Sequence, residues 1–172
     1  MATYHHNISG ELTQELIAPG SNVRISSITL TNVQKVSKCK VDLYIEKKLT
    51  GKFYLLKQME LPVGATLVYD DIFFNNSSDE FGLYIKLTDG ATFTLTGSID
   101  VTGTNVNVPG SGTAFLSELS IGDEVVISGE TRTIAGITSD TAATVTVAFG
   151  SDLANDATPD CNPTALVDVI IK

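Results

Sequence analysis

The residues whose types and spacing could do chemistry are few: two adjacent histidines, three acidic groups, two cysteines and one glycine-rich turn. His5 and His6 are the only histidines. Neighbouring side chains on a strand point to opposite faces, so the pair does not chelate one metal. A solvated arm that becomes ordered against a partner is the stronger expectation for them. Asp70-Asp71, the loop from Asn75 to Glu80, and the set Asp152, Asn155, Asp156 and Asp160 each offer oxygen ligands of the kind calcium takes. None has the fixed spacing of a calcium loop, so solvated turns are expected.

Cys39 and Cys161 stand far apart, too few for a disulfide framework or a four-ligand zinc site. They read as two free thiols packed as small apolar side chains. Pro109-Gly110-Ser111-Gly112 lacks the strand-to-helix setting and the lysine of a phosphate cradle, and reads as a turn. No Ser-His-Asp or Cys-His arrangement, GxSxG elbow, CxxC or HExxH pattern is present. No catalytic residue, cofactor-binding residue or metal ligand is therefore assigned. A hydrolase would have to draw on Asp70, Asp71 or Asp79, and an enzyme is not expected.

Charge divides the chain. Residues 1–92 hold 9 basic and 10 acidic side chains, whereas residues 93–163 hold Arg132 against nine acidic residues, a balance of −8. Such a segment repels phosphate backbones, so nucleic-acid binding through it is not expected. The one basic concentration is Lys35, Lys38, Lys40, Lys47, Lys48, Lys52 and Lys57, interrupted by Asp42 and Glu46. Protection of an edge strand, or docking on an acidic partner, is its expected use. The N-terminus shows neither the charged nor the apolar region of a signal peptide, and no apolar run reaches the ~18 residues of a membrane span. A soluble protein without membrane or cofactor is the expectation.

The elements that must position these residues are strands. Glu11–Ile17 fits a strand or a short helical turn, and Ala18–Ser21 a turn. Val23, Ile25, Ile28 and Leu30 mark one strand with a bulge at Ser26-Ser27, followed by a polar connection over Thr31–Ser37. Cys39, Val41, Leu43 and Ile45 alternate with Lys40, Asp42, Tyr44 and Glu46, giving one apolar and one wet face. Phe53–Lys57 returns from that strand as a hairpin, and Thr66–Tyr69 and Gly82–Leu87 add two more strands. Ala165–Lys172 reads as a further strand of the same set.

Between lie some 70 residues with strands of their own: Ser98–Thr102, Asn105–Val108, Glu124–Ser128, Glu130–Ile137 and Ala143–Phe149. Ser128-Gly129 makes a tight hairpin, since Gly129 takes positive φ without cost. Thr113–Leu119 is the one short helical candidate, capped by Ser111 or Thr113. Gly150–Pro163 reads as an exit linker. The pattern predicts an all-β chain of two domains. A β-sandwich over 1–94 plus 164–172 would host a small, acidic, β-barrel-like insertion over 95–163.

Val106–Phe115 (VNVPGSGTAF), Leu119–Val125 (LSIGDEV), Arg132–Ile134 and Ile137–Thr141 together resemble a small β module of tailed-bacteriophage virion proteins. The matched phrases all fall between residues 106 and 141. The outer segments ISSITLTN at Ile25–Asn32, VDLYI at Val41–Ile45, YLLK at Tyr54–Lys57, LPVGATLV at Leu61–Val68 and VDV at Val167–Val169 are similar in style to another group of phage β-sandwich proteins.

The resemblance implies a non-enzymatic virion structural protein with no catalytic residues to carry over. A capsid decoration protein in symmetric copies is the first expectation, and a tail or neck component the second. Its partners would be other virion proteins, major capsid or tail proteins, together with further copies of itself as a homo-oligomer, and its location the virion. The competing class is a host-glycan-binding adhesion module. The inserted segment, however, has only Phe115 and Phe149 as aromatic residues, with Phe93 at its border, and neither Trp nor Tyr, which counts against sugar stacking there.

Overall fold

A computed structural model describes residues 3–47, 50–76 and 80–172. The first strands are β1 (Tyr4–Ser9), β2 (Gln14–Ile17), β3 (Arg24–Ile25), β4 (Ile28–Asn32), β5 (Cys39–Lys47), β6 (Gly51–Leu61), β7 (Thr66–Tyr69), β8 (Phe74–Asn75) and β9 (Phe81–Thr88). Next come β10 (Phe93–Thr94), β11 (Ser98–Val101), β12 (Asn107–Ser111), the one-turn helix α1 (Phe115–Glu118), β13 (Glu124–Ile127) and β14 (Glu130–Ser139). The chain ends through β15 (Ala142–Val145), β16 (Leu153–Asp156), β17 (Asp160–Asn162) and β18 (Leu166–Ile171). The fold is all-β and built from antiparallel sheets.

Two compact units result. Unit 1 holds residues up to Gln34, Lys38–Asp89 and Ala165–Lys172, and unit 2 holds Lys35–Ser37 and Gly90–Thr164. In unit 1, one sheet has the order β1-β18-β4-β7 and another β2-β9-β5-β6, with β3 and β8 paired beside them. Alternate residues of both four-stranded sheets meet in one core, including Ile8, Leu30, Val167 and Val169 from the first and Leu16, Val41, Leu43, Leu83 and Ile85 from the second. Two sheets that each bury one face in a shared core form a sandwich. β18 lies inside its sheet, with β1 on one side and β4 on the other.

Unit 2 is a single antiparallel sheet of order β10-β17-β13-β14-β15-β12-β11-β16. One cluster of Ile99, Val108, Phe115, Leu119, Val125, Ile127, Ile134, Val145 and Cys161 draws on strands from across that order, so the sheet curls round its own core. The β13–β14 hairpin turns through Ser128 and Gly129 at φ of 49° and 86°, the paired positive values of a tight two-residue turn.

Several local expectations are corrected. The N-terminal segment is not a solvated arm: His5 and His6 sit in β1, opposite Ile170 and Val169 of β18. Residues 22–32 do not form one bulged strand. The chain breaks at Ser26-Ser27, whose amides both donate to the Lys172 carbonyl, and β3 and β4 join different sheets. β4 runs on through Thr31 and the buried Asn32, which were expected in a loop. Gly150–Pro163 is not a plain linker, because it supplies β16 and β17, and β17 pairs with both β10 and β13. Phe93 and Thr94 accordingly belong to the sheet of unit 2.

Pro109-Gly110-Ser111 continues β12 rather than turning, and only Gly112 follows the strand. Neither Ser111 nor Thr113 caps the helix. Ala114 holds the capping position, and the Thr113 hydroxyl donates instead to the Asp140 carbonyl at 2.6 Å.

Candidate functional site

The acidic residues singled out in the sequence are not brought together. Asp70 and Asp71 are exposed in the β7–β8 connection. In the next loop Ser77, Ser78 and Asp79 lie outside the described residues, and Asn76 is fully buried rather than solvated. The Asn76 side chain accepts from the Val23 amide at 2.8 Å and donates to the Ala18 carbonyl at 2.9 Å and to Ser21 Oγ at 3.1 Å. It is a clamp between two loops.

In unit 2, Asp152 accepts from the Gly103 amide at 2.7 Å, Asp156 from the Thr158 amide at 2.9 Å, and Asp160 from the Thr94 hydroxyl at 2.8 Å. They act at separate places, Asp160 as the cross-strand partner of Thr94 between β17 and β10. Among the described residues no group of three or more His, Cys, Asp or Glu side chains is placed to hold a metal.

The cysteines are buried free thiols, one in each core. Burial, helped by the charge of Asp89, pushes the Cys39 thiol up to about 11, and burial together with Asp123 raises Cys161 further. Thiols so held are poor nucleophiles.

Most of the lysines are engaged. Lys38 pairs with Glu60 at 2.8 Å, Lys47 with Glu80 at 3.4 Å, Lys52 with Glu46 at 4.0 Å and Lys57 with Asp42 at 2.7 Å. Lys35 donates to the carbonyls of Leu116 and Leu119, both at 3.2 Å. Lys48 lies outside the described residues. Among the described residues the lysine set is thus mostly engaged, with Lys40 exposed.

What the sheet β2-β9-β5-β6 does assemble is a row of aromatic rings on its outer face. Leu43 points into the core, so Asp42, Tyr44 and Glu46 point away from it. The register sets Glu15 opposite Tyr84, Tyr84 opposite Tyr44, and Tyr44 opposite Tyr54. Directly opposed residues on one face touch. The Tyr44 and Tyr84 rings stack with centroids 5.8 Å apart, and Tyr54 tilts against Tyr44 at 5.4 Å.

Tyr44 is 1% exposed although it belongs to the outer face. Its neighbours on that face cover it, and the expected wet face is therefore part-buried. Gly82, two residues before Tyr84, makes room for this packing. A Cβ there would lie 2.8 Å from the Tyr84 ring and 3.0 Å from Pro19.

Lysines complete the row. Lys52 Nζ sits 4.4 Å from the Tyr44 ring centre and donates to its hydroxyl at 3.1 Å, while Lys57 sits 4.2 Å from the Tyr54 ring centre. The bond to the Tyr44 hydroxyl holds the Lys52 ammonium above its ordinary range. Burial, with the hydrogen bond to Glu15, raises Tyr84. Beside the row opens a cavity of about 820 Å³ lined by Thr13, Pro19, Tyr44, Glu46, Lys52, Glu80 and Tyr84. It combines a ring surface with hydroxyl, ammonium and carboxylate groups.

The sequence carried one signal for this face: all five tyrosines, Tyr4, Tyr44, Tyr54, Tyr69 and Tyr84, lie in the first half of the chain. The pairing that aligns three of them comes from cross-strand register, which alternation within one strand does not give.

No family model matches the chain, and no curated protein matches it. Among solved structures it is similar to a chain of the T13 IBDV viral particle, at 9% identity and a TM-score of 0.34, covering 99% of this chain and 38% of that one. It is similar to the STIV MCP at 7% identity and a TM-score of 0.24, covering 99% and 96%. A chain of the infectious bursal disease virus Gt strain gives 11% identity and a TM-score of 0.27, covering 99% and 39%. The chain thus spans about two fifths of the length of the first and third of these.

Proposed function

We propose that this chain is a non-enzymatic structural protein of a tailed-bacteriophage particle, a capsid decoration protein carried in symmetric copies. The insertion reading belongs to this proposal. Unit 1 would attach to the particle, and the acidic unit 2 would be the displayed module. One observation supports the reading above others: the phrases that resemble the phage module are the framework of unit 2. Val108, Phe115, Leu119, Val125 and Ile134 from those phrases are all at most 1% exposed in its core. Asp123 of the IGDEV phrase is fully buried, accepting from the Ser120 amide at 2.8 Å and the Thr164 amide at 2.9 Å. Residues that set a fold are the ones a shared module has to share.

The test is immunogold electron microscopy of purified particles of the encoding virus, with antibody raised against the chain. Label at regular positions over the head is the expected result. Label confined to the neck or tail would replace decoration by the tail reading, and absence of the chain from purified particles would overturn both.

A further inference from the structure

We propose that the cavity beside Tyr84 and Tyr44 on unit 1 is a binding site for a neutral oligosaccharide. This inference concerns one face of unit 1 and does not rest on the virion reading. A sugar ring offers an apolar face of C–H groups ringed by hydroxyls. Its sites pair an aromatic surface with polar groups of both kinds, donors and acceptors. The cavity has these components.

Tyr84 is half-buried and lines it, and the ring is held by Gly82, by Pro19, by the stacked Tyr44 and by the bond of its hydroxyl to Glu15 at 3.2 Å. A ring locked from several sides loses little freedom when a ligand stacks on it. Around the ring stand the Lys52 ammonium as donor, the carboxylates of Glu46 and Glu80 as acceptors, and the exposed Thr13 hydroxyl as either. Lys52 is in turn held by the Tyr44 hydroxyl at 3.1 Å and by Glu46 at 4.0 Å.

The charge balance of the lining selects the ligand class. The Lys52 ammonium and the Lys47 ammonium that pairs with Glu80 at 3.4 Å are matched by the carboxylates of Glu46 and Glu80, which leaves no surplus of positive charge for a phosphate, sulfate or sialic acid. A cationic ligand would meet the Lys52 ammonium of the lining. A neutral polyhydroxylated molecule satisfies both signs at once. A volume of about 820 Å³ lies within the usual range of ligand clefts, with room for more than one sugar ring. The aromatic shortage that counted against sugar binding belonged to the inserted segment, and unit 1 does not share it.

The experiment is an array of neutral, sialylated and sulfated oligosaccharides probed with the full chain. Calorimetric titration of the best neutral oligosaccharide follows, against the wild type and three variants. Tyr84→Ala should weaken binding at least tenfold and Lys52→Ala several-fold. Tyr84→Phe, which keeps the ring and the fold, should bind within about threefold of wild type. Amide NMR shifts on titration should concentrate at Thr13, Glu46 and Tyr84. Three outcomes would overturn the proposal: no neutral oligosaccharide bound, only anionic ones bound, or binding unchanged in Tyr84→Ala.

Discussion

The carboxylate of Asp89 accepts a hydrogen bond from the amide of Ala165 at 2.7 Å, across 76 positions of sequence. Asp89 is the last residue of unit 1 before the long segment Gly90–Thr164 of unit 2, and Ala165 the first after it. The two ends of the intervening segment are thus fixed side by side within unit 1, as a tolerated insertion requires.

Deleting 90–164 and joining Asp89 to Ala165 through a short Gly-Ser linker should therefore leave a folded unit 1. The expected product is soluble and strand-rich by circular dichroism, and it melts in one cooperative transition. An aggregated or unfolded product would sink the insertion reading. Within the intact chain, Asp89→Ala should cost about 1–3 kcal/mol, the usual loss when a bond to a charged acceptor disappears. Urea unfolding measures it.

Asp42 organises the irregular middle of β6. It accepts from Lys57 Nζ and from the Gln58 amide, each at 2.7 Å, and Gln58 has φ of 52°. Burial pushes the Asp42 carboxyl up, but the bonds from Lys57 and Gln58 outweigh it, and the group ends below its ordinary value. A carboxyl depressed in the folded state stabilises at pH values above the unfolded value of ~3.9. That stabilisation fades as pH falls through the folded value. The melting temperature of the wild type should exceed that of Asp42→Asn at pH 7, and the gap should narrow as pH falls below ~3.9. A gap independent of pH would show that the carboxylate charge has no part in it.

How far the sequence revealed the molecule depends on the kind of signal each feature needs. Alternation along one strand exposed Cys39, Val41, Leu43 and Ile45 as the core-facing set, and the turn chemistry of Ser128-Gly129 exposed its hairpin. β17 stayed hidden because Asp160-Cys161-Asn162 has one apolar residue in a run rich in turn formers, and only its pairing with β10 and β13 makes it a strand. The tyrosine face stayed hidden for a related reason. Tyr44, Tyr54 and Tyr84 sit on three strands, and their alignment is set by the register of β5 with β6 and with β9. Asn32 and Asn76 looked like loop residues by type, whereas each is buried with its amide bonded to backbone, Asn32 Nδ2 reaching the Leu61 carbonyl at 2.9 Å.

The Asn76 clamp makes a charge-specific prediction. Its amide nitrogen faces the carbonyls of Ala18 and Phe81, at 2.9 and 3.3 Å. Asn76→Asp would set a carboxylate oxygen against those acceptors, so the new carboxyl is favoured protonated in the fold and its pKa rises. A raised folded value gives stability that is present below the unfolded value and lost as pH climbs. Asn76→Asp should thus be less stable at pH 7 than at pH 4, relative to wild type at each pH, whereas Asn76→Ala should lose about 2–3 kcal/mol at both. Equal losses for the two variants at both pH values would refute the assigned donor geometry.

Cys39 and Cys161, at 2% and 0% exposure, test the two cores together. A thiol that is buried and shifted to about 11, as Cys39 is, offers almost no thiolate at pH 8, and Cys161 is shifted upward further. Ellman's reagent should therefore find no fast-reacting thiol in the native protein at pH 8 and two after denaturation in guanidinium. Intermediate urea concentrations carry the more discriminating result. If unit 2 opens before unit 1, alkylation followed by mass mapping should mark Cys161 while Cys39 stays protected. Asp123→Ala, which strips the buried acceptor from the Ser120 and Thr164 amides, should lower the urea concentration at which Cys161 reacts, by an amount corresponding to about 2–4 kcal/mol, and leave Cys39 unmoved. Parallel shifts of both cysteines would mean that the two units unfold as one.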